Sequence, residues 1–271
     1  MTAITKAVIL ARGLGRRMRR ADGDVQLDDA QSRAADMGMK AMIPVGRPLL
    51  DHAMSALGDA GITDVCLVIG PEHDTIRAYY ASIPLRRLRV HFAEQPIPNG
   101  TAGAVAAAEA FAGTDAFLVM NSDNYYPVAA CHALAQRGAP ALVGFDREGL
   151  LQRGNIPADR VRQFALLQRD PEGFLAAIVE KPDPATYDAL LASSLVSMNL
   201  WAFTPQIFEA CRRVMPSVRG ELELQDAVRI AISELGERFA VVGSDDGVLD
   251  LSTRGDVDSV ARVLRDRPVN L

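Results

Sequence analysis

The sequence predicts an α/β fold, a mixed sheet flanked by helices, and three features of its 271 residues carry that expectation. Over residues 1–150, short apolar runs rich in β-branched residues alternate with longer stretches of helical periodicity, the pattern of βαβ units and a mainly parallel sheet. After residue 150 the rhythm changes to strands paired about tight turns, which implies an antiparallel contribution to the same sheet. No Pro/Gly/Ser-rich linker and no internal repeat separates the halves, so residues 1–271 read as one continuous domain.

Taken in order, AVILA at 7–11 is an unbroken strand-like run that stops at Gly13 and Gly15. The polar stretch RRADGDVQLDDAQSRAADMG, 19–38, interrupts all periodicity and reads as a long surface loop with the character of a lid. Pro48 opens an apolar-periodic helix at 49–60. Strands are expected at 65–69, 89–93, 116–120 and 141–144, with helices at 75–81, 102–112 and 128–136 between them. In the second half, 162–168 and 174–180 read as strands around the turn Arg169-Asp170-Pro171-Glu172-Gly173, followed by a strand at 195–203. Helices at 205–214 and 223–235, a strand at 239–242 and a helix at 256–265 complete the chain.

Composition bounds the partners. Hydrophobic residues make up 49% and charged residues 23%, ordinary globular usage. A net charge of −5 argues against nucleic acid and anionic membrane surfaces, so the arginine cluster at 12–20 is a local field suited to a small anionic ligand. Cys66, Cys131 and Cys211 lie far apart in apolar or helical patterns and are expected as buried thiols in a reducing compartment. MTAITKAVIL lacks a signal h-region and no apolar run reaches the roughly 18 residues of a membrane span, so a cytoplasmic protein is expected. Oligomeric state is unreadable, with a homo-oligomer left open.

The first strand runs into Gly13, Gly15 and Arg17. Glycine lets backbone N–H groups approach a phosphate closely, and arginine adds charge. A dinucleotide fingerprint would need glycine where Met18 stands, and a Walker loop would need G-K-[ST] after a four-residue gap; neither is present. Asp22, Asp24, Asp28 and Asp29 do not make an EF-hand, because the closing position of such a loop is Arg33.

L-A-x-G-x-G-x-R-M at 10–18, followed by K-x-x-x-P-V-x-x-x-P-L-L from Lys40, resembles the signature of the nucleotidyltransferases that activate sugar 1-phosphates, including glucose-1-phosphate thymidylyltransferases and uridylyltransferases. Five further segments occur in that family's order: Glu94-Gln95-Pro96-Ile97-Pro98-Asn99-Gly100-Thr101, Asn121-Ser122-Asp123-Asn124, Glu180-Lys181-Pro182, Asn199-Leu200-Trp201-Ala202-Phe203 and Leu249-Asp250-Leu251-Ser252-Thr253. Arg219-Gly220-Glu221-Leu222-Glu223 adds an acidic helix N-terminus.

The resemblance implies a Rossmann-like, GT-A-like nucleotide-diphospho-sugar transferase fold in a single domain, with a nucleotide-binding half at 1–150 and an acceptor-binding half at 151–271. It implies transfer of a nucleoside monophosphate from an NTP to a sugar 1-phosphate, with Mg²⁺ as cofactor. By the same resemblance the nucleotide falls to Ala11, Gly13, Gly15, Arg17, Lys40, Gln95, Gly100 and Thr101. The acceptor falls to Asn124, Ala165, Glu180, Lys181 and Asn199, the metal to Asp123 and Asp250, and catalysis to Arg17, Lys181 and Asp123. Gln95 with Gly100 resembles the pyrimidine-reading pattern, so a pyrimidine NTP is slightly favoured alongside a phosphorylated small-molecule acceptor.

The chain departs from the family pattern at Arg12, expected to point to solvent, at Ala165, Ser122 and Ser252 where glycine is usual, and in the length of the 19–39 segment. The acceptor-side changes at Ala165, Ser122 and Ser252 keep open transfer to a non-sugar phosphate such as phosphocholine, a polyol phosphate or a phosphonate; a catalytically silent protein that binds nucleotide sugars is a separate alternative from a different class.

Overall fold

The computed structural model describes residues 3–20 and 25–271. Nine strands form one mixed sheet, as the sequence predicts. Its parallel part places Lys6–Leu10 between Phe117–Asn121 and Asp64–Ile69, with Arg89–Glu94 at the edge. The nine-residue strand Leu195–Phe203 runs antiparallel beside Phe117–Asn121 and continues as the partner of both Ala141–Phe145 and Leu166–Arg169. Through it, the hairpin of Leu166–Arg169 with Leu175–Val179 and the parallel pair Ala141–Phe145/Ala240–Ser244 join the sheet.

Side-chain alternation explains why both faces are covered. Ala7 and Ile9 enter one core with Leu118, Met120 and Leu67, while Val8 enters the other with Phe117, Val119, Cys66 and Val68. Trp201 and Phe203 are fully buried in the second core, where their rings stack 5.7 Å apart. A third cluster joins the helix Asp256–Leu264 to Met18, Ile43, Val45 and Leu49. The three cysteines are free and buried, and burial pushes each thiol up to about 12. No helix among the described residues is long and apolar enough to cross a membrane.

The expected surface loop at 19–39 is corrected. Ala21, Asp22, Gly23 and Asp24 lie outside the described residues, but Asp29–Asp36 is a helix closed by a capping box between Asp28 and Gln31. It escapes a periodicity reading because its apolar residues are alanines; Ala34 and Ala35 are nonetheless buried in the third cluster. Likewise 162–165 is not strand: a short helix, Ala158–Val161, precedes it and pairing starts at Leu166. Helices Arg147–Arg153 and Pro184–Leu190 were not expected, although Asp146 and Asp183 cap them by side-chain acceptance of backbone N–H groups.

Candidate functional site

Parallel pairing aligns the carboxyl ends of four strands, and the site lies just beyond them. The register sets Leu10 against Asn121, and Ser122 N–H donates to the Leu10 carbonyl, so Ala11 and Ser122 leave the sheet side by side, with Asp123 following. Gly70 and Gln95 leave the neighbouring strands Asp64–Ile69 and Arg89–Glu94. A cavity of about 390 Å³ opens among these ends. Ala11, Gly13, Gly15, Arg17, Lys40, Gln95, Gly100, Thr101 and Asp123 all line it, although they span 113 positions of the chain.

The glycine corner is held from two sides. Gly15 has φ +59° and starts the helical turn Arg16–Arg19, which Met18 anchors by complete burial. A Cβ on Gly15 would lie 2.3 Å from the Gly38 carbonyl oxygen, so the Gly38 turn is seated directly against the corner. That turn ends the unexpected helix Asp29–Asp36 and leads into Lys40, whose Nζ donates to Asp123 Oδ2 at 2.9 Å. The backbone N–H groups of Gly13, Leu14 and Gly15 donate to nothing among the described residues, and Arg17 makes no ion pair among them. Among the described residues, these backbone donors lie beside the guanidinium groups of Arg16 and Arg17 and the Lys40 ammonium, an arrangement able to hold anionic oxygens.

The opposite end of the cavity is framed by the Gln95–Thr101 loop. Gly100 takes φ +114°, and a Cβ there would meet Leu222 N and O at 2.5 Å. Leu222 N–H donates to Asn99 O, and Ala102 N–H donates to Leu222 O, which clamps this loop. The Thr101 hydroxyl accepts from Leu224 N–H at 2.9 Å and so caps the helix Leu224–Ser233. Gln95 is buried, and its Nε2 donates to Asn99 Oδ1 at 2.9 Å and to Gly100 O at 3.0 Å.

Asp250 is placed next to Asp123 by a short antiparallel ladder in which it opposes Asn124, and Leu251 N–H donates to Asp123 O at 2.8 Å. It does not line the cavity. Its Oδ2 accepts from Arg160 at 2.7 Å, and its Oδ1 accepts from Asn124 Nδ2 and Ser252 Oγ. Burial, then the charge of Asp123, raises the Asp250 carboxyl above its ordinary value, while Ser252 and Arg160 oppose the shift. Asn124 is thus turned inward, with Oδ1 also accepting from Tyr126.

Ala165, Glu180, Lys181 and Asn199 do not line this cavity either. Two of them share a distinction: Lys181 at φ +41° and Asn199 at φ +57° are the positive-φ non-glycine residues among those described. Asn199 falls where Leu195–Phe203 changes register against Ala141–Phe145, and its Oδ1 accepts from Gln225. Desolvation raises the Glu180 carboxyl even though its residue is exposed overall, with Arg229 pulling the other way.

Arg12 is the clear correction. It is 8% exposed and lines the cavity; its Nε donates to the Gln95 carbonyl at 3.0 Å and its Nη1 pairs with Glu72 Oε1. His73, Ile76 and Met39 also line the cavity, and no sequence motif marks them, whereas Glu221, which lines it too, belongs to the Arg219–Glu223 segment noted in the sequence. Burial lowers the His73 pKa, and its Nδ1 accepts from Gly70 N–H, which fixes a neutral ring.

Known proteins share this architecture. UDP-glucose pyrophosphorylase complexed with UDP-glucose superposes with a TM-score of 0.73 at 17% identity, covering 96% of this chain and 98% of that one, which establishes the fold. UTP–glucose-1-phosphate uridylyltransferase AglF of Haloferax volcanii is 27% identical over 96% of this chain and 97% of its own length. Low-salt glycan biosynthesis nucleotidyltransferase Agl11 of the same organism is 27% identical over 84% of this chain, and glucose-1-phosphate thymidylyltransferase of Streptomyces griseus is 29% identical over 83%. The chain spans only 57% and 56% of the lengths of these last two. The model of the family described as nucleotidyl transferase matches residues 34–264, most of the chain, and the chain therefore belongs to the nucleotidyl transferase family.

Proposed function

We propose that this chain transfers a nucleoside monophosphate from an NTP to a sugar 1-phosphate, releasing pyrophosphate and forming an NDP-sugar. The observation that carries the reading is the convergence of the glycine corner, Arg17, Lys40, Asp123 and the Gln95–Thr101 loop on one cavity at the strand ends. The sugar 1-phosphate chemistry rests on the names of the relatives, and a pyrimidine base on the Gln95 and Gly100 pair.

An oxygen of the acceptor phosphate attacks the α-phosphorus of the NTP, and the bond from that phosphorus to the bridging oxygen of the β-phosphate breaks. The attacking oxygen is already anionic near neutral pH, so no general base is needed; positioning and charge neutralisation supply the rate. The corner N–H groups and Arg17 hold the β- and γ-phosphates and take up the charge that develops on leaving pyrophosphate. Lys40 neutralises phosphate charge from the Asp123 side, while Lys181 and Asn199, on backbone held at unusual φ, orient the acceptor with Glu180.

The donor set suits a hard divalent cation: Asp123 faces the cavity, and the ladder that pairs Asp250 with Asn124 sets a second carboxylate beside it. Mg²⁺ is a hard ion bound through few protein ligands, for which a pair of carboxylates with phosphate oxygens suffices. Asp123 and Asp250 would hold it, and when bound it supplies charge neutralisation on phosphate oxygens. The buried free thiols suit a reducing, cytoplasmic setting.

Ala165, where the family pattern has glycine, favours a second reading, transfer to a non-sugar phosphate. One assay tests both: pyrophosphate release for each NTP against sugar 1-phosphates, polyol phosphates and choline phosphate. Release above an Asp123→Asn control with a sugar 1-phosphate supports the proposal, release only with another acceptor supports the second reading, and none with any pair refutes both.

A further inference from the structure

We infer that Arg12 is a specificity-determining residue, selecting bases that carry a keto oxygen beside an imino N–H, as uracil, thymine and guanine do and cytosine and adenine do not. The inference rests on the proposed nucleotide site and adds to it a residue outside the family pattern.

The argument is one of counting donors and acceptors. Gln95 has two acceptors at its nitrogen end, Asn99 Oδ1 and Gly100 O, and these fix the orientation of its amide. Both amide hydrogens are thereby used, and Oε1 remains as an acceptor at the cavity wall. Arg12 offers the complementary donors. Its Nε is used on the Gln95 carbonyl and one Nη1 hydrogen on Glu72, while Nη2 has no partner among the described residues. Its position is tightly fixed: the guanidinium lies against Gly70, where a Cβ would approach Nε to 2.4 Å and Cζ to 2.5 Å.

A side-chain acceptor on Gln95 and a donor on Arg12, two residues joined through the Gln95 carbonyl and lining one cavity, together match an imino N–H next to a keto oxygen. Cytosine N3 and adenine N1 are themselves acceptors, so either would face Gln95 Oε1 with no hydrogen between them and leave a buried polar atom unpaired. Arg12 also carries its own counter-charge in Glu72, so its guanidinium is held at the base end of the cavity rather than drawn to the phosphates.

The test is equilibrium binding of UTP, TTP, GTP, CTP and ATP to wild type, Arg12→Met and Glu72→Ala, measured by calorimetry without acceptor. Wild type should bind at least one of UTP, TTP and GTP about ten- to a hundredfold more tightly than CTP and ATP, the range for one good base contact. Arg12→Met should remove at least tenfold of that ratio while leaving CTP binding within about threefold. Glu72→Ala, at a half-exposed carboxylate, keeps the fold and should erode the ratio by loosening Arg12. Equal weakening of all five nucleotides in Arg12→Met, an unchanged ratio in both variants, or no preference in wild type would each overturn the inference. Selective binding without pyrophosphate release would leave it standing while refuting the transferase reading, and UTP against GTP separates the pyrimidine and purine sources.

Discussion

Gly15→Ala and Gly13→Ala, two positions apart on the same corner, should have different consequences. An alanine at Gly15 must adopt φ near +59°, a left-handed conformation costing about 1–2 kcal/mol for a residue with a Cβ. Its Cβ would also stand 2.3 Å from Gly38 O, 2.6 Å from Gly38 Cα and 2.8 Å from Gly38 C, all backbone atoms that no rotamer change can clear. Overpacking of this kind costs about 1–3 kcal/mol, so the total loss is about 2–5 kcal/mol, a large part of the ~5–15 kcal/mol that holds a typical domain folded. At Gly13 nothing lies within 4 Å of an added Cβ and φ is not positive, so stability should change by less than about 1 kcal/mol. The activities should diverge as well. Displacing the Gly38 turn by roughly 1 Å carries Lys40 with it and should lower turnover about 10²-fold, whereas a methyl at Gly13 should chiefly raise KM for the NTP. Urea unfolding midpoints and pyrophosphate release measure both. Equal destabilisation of the two variants, or a Gly15→Ala protein as stable as wild type, would show that the corner is not braced by Gly38.

Arg17→Ala and Asp123→Asn should each lower turnover about 10²–10³-fold in the pyrophosphate assay, the usual effect of deleting one preorganised charge contact; near-normal rates in purified protein would dismiss the assigned roles. Arg160→Met leaves the largely buried Asp250 and Asp256 without their shared cation, and urea unfolding should show a loss of about 3 kcal/mol. Burial lowers both the His52 and His73 pKa values below the ordinary ~6.5. Above about pH 6.5 folded and unfolded chains both carry them neutral; below it the unfolded chain takes up protons that the folded chain refuses. Stability should therefore fall with decreasing pH by up to about 1.4 kcal/mol per unit per histidine, until the folded-state pKa is reached. His52→Gln should flatten that slope in unfolding curves collected from pH 7.5 to 5, and an unchanged slope would assign the effect elsewhere.

Much of the fold was legible because local chemistry and global topology agree. The strand at 195–203 was expected over the residues it occupies, and the other sheet strands shift by a few residues at their ends. Two β-branched runs on either side of helical segments have few ways to bury both faces except as a parallel sheet. The helix at Asp29–Asp36 was missed because alanine gives a weak amphipathic signal; only its capping box was written in the sequence. The cavity-lining residues assigned by resemblance fall together, but their partners did not show. Nothing in K-A-M-I-P-V foretells that Lys40 is paired with an acid 83 positions away, and Asp250 gave no sign that Arg160 would hold it. Arg12 departs from the expectation for a physical reason: a lone arginine on a loop is usually solvated, and only the flat surface of Gly70 together with Glu72 and the Gln95 carbonyl makes its burial tolerable.

By itself, then, the sequence determined what depends on neighbours along the chain: strand and helix periods, the glycine at a left-handed turn, caps, net charge and the order of the family motifs. Tertiary structure alone decided which of the charged side chains would be paired and which would face the cavity free, because a charge finds its partner through space and the parallel register brings together ends that are many tens of residues apart.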